Sequence, residues 1–86
     1  MKYKYIGTEE QLKERKFETY QIFGYSPYAL RKDDINYYTI HINLNKNSKW
    51  FNHITFNYNS NTDDITPYIQ DLIDANLVEV IEEWLK

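Results

Sequence analysis

The chain predicts an α+β fold: an antiparallel sheet of three to four strands, with one face covered by a short N-terminal helix and one or two C-terminal helices. Three observations predict it. Apolar and polar residues alternate over Tyr37–Leu44 and again over Trp50–Tyr58, the period of a half-buried strand. Thr8-Glu9-Glu10-Gln11 has the spacing of a capping box that opens a helix. Ile69, Leu72, Ile73, Leu77, Val80, Ile81 and Trp84 recur at helical spacing. Helices gathered on one face of a sheet are the simplest layered solution for this order of elements. With 86 residues there is room for one core, so residues 1–86 read as a single domain.

The first strand runs from Lys2 to Ile6 and ends at Gly7. A helix follows over residues 9–15, with Thr8 as its cap. Glu9 and Glu10 suit its positive end, and Lys13, Arg15 and Lys16 its negative end. Phe17–Phe23 is extended and is broken by Gly24-Tyr25-Ser26-Pro27. Tyr28–Arg31 then forms the first arm of a hairpin, closed by the turn residues Lys32-Asp33-Asp34. The two alternating runs make an antiparallel hairpin around Asn45–Lys49, a loop of about five residues. Its even-numbered face (Ile40, Ile42, Ile54, Phe56) packs on the core, and its odd-numbered face is more polar. Thr66-Pro67 starts the C-terminal helix, with Thr66 as cap and Pro67 at the first helical position. Asn76 offers a C-cap that would divide residues 66–86 into two helices. The apolar stripe keeps its phase across Asn76, which favours a single one.

Charge is divided along the chain. Asp63–Lys86 holds seven acids and one base, a net of −6, whereas residues 1–62 carry a net of +3. Nine Tyr, four Phe and two Trp supply much of the core. The absence of cysteine excludes a disulfide scaffold and thiolate zinc sites. Met1–Tyr5 has no apolar leader region, and no apolar run approaches the roughly 20 residues of a membrane span. The cytoplasm is the expected location, with no membrane contact.

The residues carry no catalytic motif. Gly7 and Gly24 are too few for a phosphate-cradling loop, and Ser26, Ser48 and Ser60 lack a nucleophile-elbow context. If Leu44 pairs with Trp50, His41 falls opposite His53, about 5 Å away. Two imidazoles alone are not a metal site. Asn57–Asp64 is spaced superficially like a calcium loop, but Thr62 stands where the turn glycine belongs and Tyr68 where the bidentate glutamate does. Neither a metal, a cofactor nor an enzymatic activity is expected.

Two binding surfaces compete. Asp71, Asp74, Glu79, Glu82 and Glu83 lie on the outer side of the C-terminal helix and form a candidate docking face for a basic protein partner. Lys13, Arg15, Lys16, Arg31 and Lys32, with aromatics exposed on the sheet, form a candidate nucleic-acid surface. The negative net charge and the scarcity of arginine favour the first. Self-association through uncovered sheet edges, as a homodimer, is the third reading.

Tyr5–Glu14, Tyr28–Lys32 and Ile65–Glu79 resemble short uncharacterised proteins carried by phages and prophages of low-GC Gram-positive bacteria, over about a third to a half of the chain. The resemblance implies a mobile-element accessory protein that works in the cytoplasm of a bacterial host by binding a host or phage protein. Some such proteins inhibit nucleic-acid-targeting defence systems, in the manner of anti-CRISPR and anti-restriction proteins. The matching stretches are helix caps and helix faces, so they imply no functional residue.

Overall fold

The computed structural model describes residues 2–22, 26–31, 40–56 and 65–81. Over these residues it is α+β, with one antiparallel sheet of six strands and two helices. The strands are β1 (Lys2–Tyr5), β2 (Phe17–Ile22), β3 (Ser26–Arg31), β4 (Ile40–Asn43), β5 (His53–Phe56) and β6 (Val78–Ile81). Helix α1 spans Glu9–Glu14, and α2 spans Gln70–Asp74 behind a 3-10 turn at Thr66–Ile69. The order across the sheet is β2-β3-β4-β5-β1-β6. The expected three to four strands are too few: all five extended segments of the sequence join one sheet, and the C-terminal segment adds a sixth strand where helix was expected.

Register decides which side chains share a face. Tyr3 lies beside Ile54 and Val80, Ile42 beside Ile54 and Ala29, and Ile40 beside Phe56 and Arg31. These residues line the side on which Leu12, Ile69 and Leu72 close a single apolar cluster with Tyr5, Phe17, Ile65 and Leu77. Both helices thus cover one face, as the layer argument predicts. Burying each Ile or Leu contributes roughly 1.5–3 kcal/mol, so the short α2 is held by Ile69 and Leu72 rather than by its own backbone. The even-numbered face of the β4–β5 hairpin is the core face. The odd-numbered face is less polar than expected, since Leu30 and His41 are both buried on it.

At α1 the capping box is formed as expected. The Gln11 amide donates to the Thr8 hydroxyl at 3.2 Å, and the Thr8 amide donates to Gln11 Oε1 at 2.9 Å. Gly7, just before the cap, is set by close approach. A Cβ there would lie 2.5 Å from the Tyr5 hydroxyl oxygen and 2.8 Å from Leu77 Cδ2. The Tyr5 ring folds back under the turn and donates to the Thr8 carbonyl at 2.6 Å.

Three expectations are corrected. The β4–β5 connection is longer than five residues, because Leu44–Asn52 winds through successive turns (Ser48 amide to Asn45 carbonyl at 3.0 Å, Phe51 amide to Ser48 carbonyl at 3.1 Å). It ends at Asn52, which takes a left-handed φ of 64°. The register moves by two as a result: His41 faces Thr55, and His53 faces Lys4 on β1. At the 3-10 turn Ile65, not Thr66, is the cap residue, and the Thr66 hydroxyl lies 2.8 Å from the Tyr3 hydroxyl.

The third correction is the C-terminal helix. Asn76 has φ 58°, its amide donates to the Ile73 carbonyl at 3.0 Å, and the Leu77 amide donates to the Leu72 carbonyl at 3.0 Å. That pair of bonds is a Schellman motif with Asn76 in its left-handed position, and it ends the helix. The buried Leu72 and Leu77 supply the apolar contact that accompanies it. Beyond Asn76 the β-branched Val78, Val80 and Ile81 run extended against β1. Trp84, the far end of the expected stripe, lies outside the described residues, as do the calcium-like stretch Asn57–Asp64 and the turn Lys32-Asp33-Asp34.

Candidate functional site

The five acids do not share a helix face. Asp71 and Asp74 are on α2, while Glu79 is on β6, on the sheet face turned away from the helices and directly across from Lys4. Glu82 and Glu83 lie outside the described residues. Asp71 is half-buried and its Oδ1 accepts from Arg31 Nη1 at 2.9 Å. Asp74 is exposed and accepts from Gln70 Nε2 at 2.9 Å, one helical turn back.

The basic set fares likewise. Lys13 is exposed in the last turn of α1, and Lys16 is exposed with φ 69°. Arg15 closes that helix, its Nη1 donating to the Gln11 carbonyl at 3.3 Å and lying 3.8 Å from Glu14. Arg31 is committed elsewhere. Besides binding Asp71 it reaches the Tyr68 carbonyl at 3.4 Å, and its guanidinium lies 5.6 Å from the centre of the Phe17 ring. It fastens α2 and the 3-10 turn to β3. Lys32 lies outside the described residues. Tyr3 and Tyr5, the aromatics of the basic first strand, face the core and so offer bases no stacking surface. Each rival surface therefore loses a member to the other, because Arg31 and Asp71 neutralise one another.

The histidines are separated. Among the described residues no group of three or more His, Asp or Glu is placed to hold a metal ion. His41 is fully buried, with its ring edge-on to Tyr28 at 6.5 Å, and desolvation lowers its pKa from 6.5 to about 4. His53 packs edge-on against Trp50 at 5.4 Å, and Lys49 sits 5.1 Å from the Trp50 ring centre. The His53 Nδ1 lies 3.2 Å from the Phe51 carbonyl, and since a carbonyl only accepts, Nδ1 carries the proton. Burial also raises the Tyr5 hydroxyl above its usual pKa, with Arg15 opposing and Glu14 reinforcing the shift. That hydroxyl is the donor to the Thr8 carbonyl.

What the sequence reading missed is the edge at β6. The Ile6 amide donates to the Leu77 carbonyl and the Tyr5 amide to the Asn52 carbonyl, both at 2.8 Å. Peptide groups alternate sides along a strand, so Lys2, Lys4 and Ile6 bond toward β6, while Tyr3 and Tyr5 bond toward β5. On β6, paired Lys4 to Glu79 and Lys2 to Ile81, the peptides of Glu79 and Ile81 bond to β1. Those of Val78 and Val80 point outward, where no strand lies among the described residues. Val80 is also 48% exposed. The available signal was the β-branched run Val78-Glu79-Val80-Ile81 just after an asparagine. No helix among the described residues is long and apolar enough to cross a membrane. Neither a protein-family model, nor a curated protein, nor a solved structure matches the chain.

Proposed function

We propose that this chain is a small non-enzymatic accessory protein of a phage or related mobile element, acting in the bacterial cytoplasm by binding a protein partner. The observation that carries the reading is the outer side of β6, with Val80 exposed and the Val78 and Val80 peptide groups turned outward. Proteins cover such edges, blunt them or use them for binding. This edge also bears Glu79, so the target class is a basic, nucleic-acid-handling host factor, as for inhibitors of the anti-CRISPR or anti-restriction type. Docking then centres on a strand rather than on a helix face, and Asp71 serves the fold through Arg31.

The test is capture of partners from host lysate by the immobilised full chain, with and without nuclease digestion and at two salt concentrations. A protein that survives nuclease treatment, and is released by salt or by Glu79→Lys, is the expected result. Retention that vanishes on nuclease digestion would move the assignment to nucleic acid. That rival now draws on other residues than expected, with Lys4 beside His53 on the sheet and Lys49 over Trp50 in the β4–β5 connection giving cations next to aromatic rings. Gel shifts with single- and double-stranded oligonucleotides separate the two, since phosphate contacts weaken steeply with salt.

A further inference from the structure

The chemistry of the β6 edge specifies more than an unnamed partner. Its outward hydrogen-bonding groups are the N–H and C=O of Val78 and Val80, the spacing at which an added strand makes paired backbone bonds. Cross-strand neighbours share a face, so a residue opposite Val78 or Val80 sits on the helix-covered side, and a residue opposite Glu79 sits on the other. The side chains on the new strand that complement this edge are apolar and basic in alternation.

We infer that β6 is the docking edge for an extended segment of a protein partner, alternating apolar and lysine or arginine residues, which joins the sheet beside Val78–Ile81. The inference rests on the protein-binding reading above and specifies its partner. Charge argues against a second copy as occupant. Symmetric antiparallel pairing of β6 with itself about Glu79 opposes Glu79 to Glu79, a destabilising contact, and pairing about Val80 sets Glu79 opposite the copy's Ile81, which adds no charge beyond the Lys4 already across from it on β1. A basic segment removes both problems. Backbone bonds then set the affinity, and Glu79 selects the sequence.

The probe is a short synthetic peptide alternating valine and lysine, fluorescently labelled and titrated by anisotropy against the full chain, with a valine–glutamate peptide for comparison. The lysine peptide should bind and the glutamate peptide should not, and Glu79→Lys should reverse the preference. Val80→Pro removes an outward N–H without touching the β1 ladder, and should weaken binding about tenfold while leaving the circular dichroism spectrum unchanged. If that variant unfolds, N-methylation of alternate peptide amides replaces it, with one set abolishing binding and the other tolerated. Equal binding of the two peptides overturns the inference, as does indifference to Val80→Pro or to which amides are methylated. Sedimentation showing a dimer that Val80→Pro dissociates would make a second copy the occupant and overturn it as well. Should lysate capture still yield a nuclease-resistant protein partner after any of these failures, the protein-binding reading stands and only the edge assignment falls.

Discussion

Acidification should destabilise this protein through His41. The side chain is fully buried between β3 and β5, with Leu30 and Thr55 as its cross-strand neighbours and Tyr28 edge-on to its ring. Desolvation lowers its pKa from 6.5 to about 4, so the folded state keeps a neutral imidazole where the unfolded chain takes up a proton. The sign follows from that difference. Above pH 6.5 both states are neutral and His41 adds no pH dependence. As the pH falls from 6.5 toward about 4 the unfolded state is increasingly favoured, and below about 4 the loss is complete. At roughly 1.36 kcal/mol per unit, the cost is about 2 kcal/mol by pH 5 and about 3 kcal/mol by pH 4. Against a total stability of about 5–10 kcal/mol for a domain of this size, that is a large fraction. Urea denaturation of the wild type and of His41→Phe at pH 7 and pH 5 measures it, the variant serving to subtract the carboxylates. The wild type should lose about 2 kcal/mol more than the variant between the two pH values. Parallel stability curves, or an imidazole that titrates near 6.5 by NMR in the folded protein, would refute the reasoning.

Three further outcomes follow from the packing. Asn76→Val should destabilise by about 1–2 kcal/mol, because a β-branched residue resists the left-handed φ of 58°, whereas Asn76→Gly should be neutral or better; thermal midpoints read both. Gly7→Ala should cost about 1–3 kcal/mol, since the added methyl meets the buried Tyr5 and Leu77 side chains, and equilibrium unfolding should register the loss. A double-mutant cycle of Arg31→Met and Asp71→Asn should return a coupling of about 1 kcal/mol, limited by side-chain exposures of 26% and 40% and reduced by salt.

Local chemistry made part of this fold legible and non-local pairing hid the rest. The capping box at Thr8 and the even-numbered face of the β4–β5 hairpin depend on residues close in sequence, and both are where the pattern puts them. The segment after Asn76 was not legible from periodicity, because Leu77, Val80 and Ile81 extend a helical stripe and also suit a strand. Two facts decide between them: the left-handed turn at Asn76, and the edge of β1, which lies at the other end of the chain. Hairpin register failed for a related reason. Alternation fixes which face a residue takes but not how many residues the loop consumes, and Asn52 added a turn that moved His41 away from His53. The candidate acids were visible as a cluster in sequence, yet a cluster on a helix and a cluster divided between helix and strand look alike until the helix end is known.

That division gives the charge asymmetry of the chain a structural meaning. The basic first strand, with Lys2 and Lys4, lies beside β6 with Glu79, and Arg31 of the basic half holds Asp71 of the acidic half. Part of the opposition between the two halves is therefore complementarity inside the fold, matching late segments to early ones. Charge reversal at Asp71 would break a contact between α2 and β3, so lost binding in that variant would report instability before it reported docking. Glu79 differs, because it stands on one of the two terminal strands of the sheet, with its own peptide turned inward to β1 and the neighbouring valine peptides turned out. A strand arriving there displaces nothing in the described fold, and it finds backbone donors and acceptors in register with a single carboxylate. Under the docking proposed above, electrostatics at that edge would select which strand arrives, and the outward amides of Val78 and Val80 would decide how firmly it stays.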